Sequence, residues 1–99
     1  MLALYWKKQA INDMVNIWQY IAQDSSIQAT KLIDLIEAKV VTLTQFPQMG
    51  REGRKPLTRE WVVHENYIVI YRVKSEQIEI LRVKHSAQQW PKVRGSRHR

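Results

Sequence analysis

The sequence predicts an α+β domain in the order β-α-α-β-β-β, with a helical pair packed on one face of an antiparallel sheet. Two apolar stripes at helical spacing run through residues 10–43. Three runs rich in β-branched and aromatic residues follow between Trp61 and His85. The connections at Glu65-Asn66 and Ser75-Glu76 are short enough for tight antiparallel hairpins.

The first strand is read at Leu2–Trp6. Ala10, Met14, Ile17, Trp18 and Ile21 then share one stripe, which predicts a helix over about residues 8–23. Asp24-Ser25-Ser26 interrupts it, and Ser25 with Gln28 has the form of a capping box. The second helix carries Ala29, Leu32, Ile33, Ile36, Val40 and Leu43 on one side. It ends by Phe46, because Pro47 disfavours helix for the residue before it and cannot extend the hydrogen-bond ladder. Residues 47–58, with two glycines and two prolines, read as a loop. Its Arg51, Arg54 and Lys55 are candidates for contact with phosphate or an acidic surface.

The strands Trp61–His64, Tyr67–Val73 and Ile78–His85 close the domain. Symmetric pairing about the two turns sets Val62 opposite Val69, Tyr67 opposite Lys84, Val69 opposite Arg82 and Tyr71 opposite Ile80. One face then gathers Trp61, Val63, Ile68, Ile70, Leu81 and Val83 for the helices to cover. The other gathers Glu60, Val62, His64, Tyr67, Val69, Tyr71, Ile80, Arg82 and Lys84. That mixed face is the expected working surface. Tyrosines stack on bases, cations neutralise phosphates, and His64 is a candidate for proton transfer. A turn of odd length would swap the two faces.

The chain has 99 residues, which fits one domain. The expected division is a single domain over 1–93 and a basic tail over 94–99. Its net charge of +7 is unevenly placed. Residues 1–46 are neutral, whereas residues 47–99 hold 12 Lys/Arg against 5 Asp/Glu and so carry the whole excess. That asymmetry predicts a polyanionic or acidic partner for the second half. The lack of cysteine excludes disulfides, thiolate zinc sites and a cysteine nucleophile, and suits a cytoplasmic protein. No apolar run approaches a membrane span, and no phosphate loop, dinucleotide fingerprint or metal-ligand spacing is present. No cofactor is expected.

Several segments resemble the RelE/ParE toxins. Trp6…Ala10…Asp13 and Trp18…Tyr20-Ile21-Ala22 look like their first helix, and Phe46-Pro47-Gln48-Met49-Gly50-Arg51-Glu52-Gly53-Arg54 like their helix-to-strand loop. Thr58–Val63, Tyr67–Val73 and Ile78–Pro91 are similar to their three closing strands and end motif. The resemblance covers about residues 3–91. It implies a toxin of a type II toxin–antitoxin module that is neutralised by a cognate antitoxin. ParE-like members poison DNA gyrase. RelE-like members enter the ribosome and cut mRNA with the 2′-hydroxyl as nucleophile, without metal.

The nuclease reading places catalysis on His85, Arg82, Lys84 and His64, with His85 at the strand-end position of the YafQ group. Val62 and Asn66 stand where YafQ-like sites carry a histidine and an aspartate, and Ile68 stands where RelE carries an arginine. That incomplete set favours gyrase as the target, with the mRNA endonuclease as the alternative. Either way, Arg51, Arg54, Lys55, Arg59, Tyr67, Tyr71 and Trp90 are the candidate nucleic-acid or partner contacts.

Overall fold

A computed structural model describes residues 1–86, so Trp90 and the 94–99 tail lie outside the described residues. The elements are β1 (Ala3–Trp6), α1 (Lys8–Ala22), α2 (Ser26–Thr42), β2 (Arg51–Glu52), β3 (Arg59–His64), β4 (Tyr67–Lys74) and β5 (Gln77–His85). They form an α+β fold with one five-stranded sheet in the order β1-β5-β4-β3-β2. The expected order holds with two differences. β1 joins parallel to β5, which makes the sheet mixed, and the loop contains β2, paired antiparallel with β3.

The helix boundaries follow local chemistry. Ser25 is extended, and its Oγ accepts from the Gln28 N–H at 3.1 Å, which satisfies an orphan donor of α2. Within α2, Ile36 and Val40 are wholly buried, with Leu43 at its C-cap. Ala10 and Met14 are the buried residues of α1. Trp18, read as a core residue, is 38% exposed, and its Nε1–H reaches Thr30 Oγ1 across the two helices at 3.2 Å.

Both hairpins turn where expected. Ser75 and Glu76 have φ of 52° and 61°, the left-handed pair of a two-residue turn that matches strand twist. Two bulges nevertheless overturn the symmetric register. His64 pairs with Tyr67, but the next pair is Val62 with Ile68, so Val63 is the extra residue. Tyr71 pairs with Ile80 as expected, but Ile70 pairs with Arg82, so Leu81 is extra.

The faces change accordingly. Tyr67, Val69, Tyr71 and Ile80, expected on the working surface, join Val63, Ile78 and Val83 in the core under the helices. Trp61 packs against that core. Ile68 and Ile70 alternate to the helix-free face. The bulge at Leu81 is what lets Ile80 and Val83, three residues apart, both point inward.

Candidate functional site

β1 pairs with β5 only from Gln77 to Ile80. Beyond Ile80 the outer edge of β5 faces α1 instead of a strand. Asp13 closes it. Its Oδ2 accepts from the Val83 N–H at 2.9 Å and from Arg82 Nε at 2.8 Å, and its Oδ1 accepts from Arg82 Nη2 at 3.0 Å. The hydrogen bonds to Asp13 push the Arg82 guanidinium even further from deprotonation. This two-point pairing holds Arg82 in a fixed plane.

Next to that pair lies a cavity of about 490 Å³. Asp13, Asn16 and Tyr20 of α1 form one wall, and Tyr67, Arg82, Lys84 and His85 contribute to the other. Three rings line up across the strands at this end. His64 lies 5.8 Å from Tyr67, and Tyr67 lies 5.3 Å edge-on from His85. The register sets this ladder, since Tyr67 pairs with His64 on one side and His85 on the other. His64 Nδ1 accepts from the Asn66 N–H at 3.0 Å, which leaves the ring proton of a neutral imidazole on Nε2. Burial, with a smaller contribution from Tyr20, raises the Tyr67 phenol above its ordinary pKa.

Thus Tyr67, Arg82, Lys84 and His85 come together, with His64 beside them. Asp13, Asn16 and Tyr20 were not singled out as site residues. Their spacing of three and four puts them on one polar side of α1, which was the available signal.

The remaining predicted residues lie elsewhere. Arg51 Nη2 and Arg54 Nη2 donate to Glu60 Oε1 at 3.0 and 3.4 Å, and the Arg54 N–H donates to Oε2 at 3.1 Å. Burial pushes the Glu60 carboxyl up, but these hydrogen bonds outweigh it and hold the carboxyl below its ordinary value. Arg59 Nη1 donates to the Gly50 carbonyl at 2.6 Å. The Tyr71 hydroxyl accepts from the Gly50 N–H at 2.9 Å and donates to the Pro47 carbonyl at 2.8 Å. Tyr71 is wholly buried and ties down the 47–50 turn from inside. A Cβ on Gly50 would meet the Tyr71 ring at 2.8 Å, so this close approach needs glycine. Among the described residues no three His, Asp or Glu side chains gather as a metal site. No described helix is long and apolar enough to cross a membrane.

A helical hairpin on a mixed five-stranded sheet, with a basic second half, defines a toxin of the RelE/ParE superfamily. The model of the ParE toxins of type II toxin–antitoxin systems matches residues 4–90, and the chain belongs to that family. Y4kP of Sinorhizobium fredii, described as a candidate toxin, is 38% identical over 89 residues, covering 89% of this chain and 92% of its own. Toxin RelE2 of Caulobacter vibrioides is 30% identical over 87 residues, covering 88% of this chain and 98% of its own. A chain of the chromosomal ParDE system of P. aeruginosa superposes with a TM-score of 0.76 at 26% identity, covering 86% of this chain and 96% of its own.

Proposed function

We propose that this toxin acts as a ParE-type poison of DNA gyrase and is neutralised by a cognate antitoxin. The observation that carries the reading is the use of Arg82. A nuclease of the RelE type needs cations positioned on the phosphate as charge develops in the transition state. Arg82, the best-placed candidate, spends Nε and Nη2 on Asp13 and helps close a sheet edge. Tyr71 is buried, and its hydroxyl is engaged by Gly50 and Pro47. The basic half then serves as a docking surface for a gyrase–DNA assembly.

The antitoxin has a groove to fill. Trp6, Ile11, Met14, Val15, Trp18 and Ile33 line an apolar depression of about 410 Å³ between the helices. Ile11 and Val15 are about half exposed there (49% and 47%), as a partner-covered surface would leave them in the isolated chain.

A second reading rests on the cavity itself. His85, Lys84 and Tyr20 surround it, as proton-transfer and phosphate-neutralising groups would in an mRNA endonuclease. One purified sample tests both readings, given to gyrase with relaxed plasmid and to translating ribosomes with a defined mRNA. Lost supercoiling with intact mRNA is the expected result. Codon-positioned cuts with normal supercoiling, abolished by His85→Ala, would replace the gyrase reading with the nuclease one.

A further inference from the structure

We propose that the apolar groove between α1 and α2 selects a cationic amphipathic helix of the antitoxin, and that Glu37 is the residue that reads its charge. The inference rests on the antitoxin reading of this groove. Glu37 lines the groove beside Ile11, Met14, Val15, Trp18 and Ile33, and it is the only charged residue to do so among the described residues. It is exposed and enters no hydrogen bond or ion pair among the described residues. Its neighbours one turn away on α2, Ile33, Asp34, Val40 and Val41, offer it no cation. In the isolated chain water solvates this carboxylate. A partner that fills the groove strips that water away. A carboxylate desolvated among apolar side chains is costly unless a cation pairs with it.

The walls of the groove decide the backbone of its occupant. Both walls are helices, whose N–H and C=O groups are spent within α1 and α2. An extended segment laid here would find no ladder to join and would bury its own backbone groups unsatisfied. A helix arrives with those bonds already made and presents only side chains. Ile11, Val15 and Trp18 lie along about 10 Å of α1, which two turns of a partner helix cover. The matching segment carries apolar residues at helical spacing, with a lysine or arginine beside them to face Glu37.

That sign is the opposite of what the rest of the chain attracts. The excess of +7 lies wholly in residues 47–99, and residues 1–46 are neutral. An acidic segment suits the second half, but in the groove it would set like charge against Glu37. The groove thus rejects an acidic part of the partner and admits a helix of the other sign, so the two parts of the antitoxin cannot exchange places.

The test selects a display library of helical peptides against the full-length toxin. Each peptide spans about four turns, with leucine at the core-facing positions and the flanking positions randomised. Against the parent, lysine or arginine is expected to be enriched at one flanking position. Against Glu37→Arg, aspartate or glutamate is expected at that same position. For a selected cationic helix, Glu37→Gln is expected to weaken binding on the order of tenfold. Exchanging the peptide's cation for glutamate should weaken binding to the parent and restore it to Glu37→Arg. Val15→Arg, which sets a charge in the groove itself, is the control for position and should abolish binding. Thermal melting should show these variants folded, since both positions are exposed. The inference is overturned if the selected helices show no charge preference, if acidic helices prevail on the parent, or if Glu37→Gln keeps the parent's affinity. The two readings fail separately. Helices lost with Val15→Arg but indifferent to Glu37→Arg would keep the groove as the antitoxin's seat and remove only the role of Glu37. Helices that ignore Val15→Arg, or a library that yields none, would remove the seat and the inference with it.

Discussion

Two carboxylates, Asp13 and Glu60, close two parts of the sheet in the same way and to different effect. Each accepts one backbone N–H, from Val83 and Arg54 respectively, and each also accepts guanidinium donors. Asp13 joins α1 to a strand 69 positions further along the chain, and its Arg82 side chain is only 24% exposed. Glu60 joins residues six and nine positions away, and its arginines are 53% and 60% exposed. The first is a long-range clasp between helix and sheet. The second is a local tie on a short edge strand. Water screens the exposed arginines of the second tie, although the Glu60 carboxylate itself is buried, whereas breaking the first leaves a partly buried cation without its partner.

The largest expected effect is therefore at Asp13. Asp13→Ala leaves Arg82 unpaired and the Val83 N–H without its acceptor. The expected loss is about 2 kcal/mol or more, or roughly 10 °C in Tm for a domain of this size. Asp13→Asn keeps one acceptor and should fall between parent and alanine. Thermal and urea unfolding of the three proteins checks this. If Asp13→Ala costs no more than a change at Glu60, the two clasps are equivalent and the contrast fails.

The contrast also separates what was legible in the sequence from what was not. Both helices, the Ser25 cap and the two hairpin turns rest on local signals, and all are present. The grouping of His64, Tyr67, Lys84 and His85 followed from short turns that bring neighbouring strands together. The faces did not follow, because β4 is apolar on both sides from Tyr67 to Tyr71, and alternation in such a run carries no parity. The extra residues that shift the register, Val63 and Leu81, are apolar whichever way they point. β2 is not legible in the sequence, because Arg51-Glu52 has no strand propensity of its own and is held by pairing with β3. Asp13 as the partner of Arg82 was hidden by sequence distance alone.

Tyr71 gives an intermediate case, local in what it ties but buried. Tyr71→Phe keeps the ring in the core and removes the hydroxyl between Gly50 and Pro47. The Gly50 N–H is then left buried without its acceptor, which costs about 1–2 kcal/mol. Hydrogen exchange should quicken most at Gly50. Exchange that rises equally in β5 would show that the 47–50 turn is part of the global clasp.

The smallest effect at neutral pH is expected from Glu60→Gln, and it sharpens the contrast through pH. The folded-state pKa of Glu60 lies below its ordinary value of 4.5, because bonds from Arg54 and Arg51 outweigh the opposing effect of burial. Its contribution to stability is thus fully present above the ordinary value and is lost as pH falls through the lowered one. Glu79, lowered by Arg72 and Gln77, adds to the same acid limb. The glutamine variant should lose less than about 1 kcal/mol near pH 7, since both arginines are more than half exposed. Below the ordinary carboxylate range its stability should fall less steeply than the parent's, with the Glu79 share of the slope remaining. Urea midpoints measured down the acid limb would show this. Identical limbs in parent and variant would mean that Glu60 is not held below its ordinary value, and the tie at this edge would then be geometric rather than electrostatic.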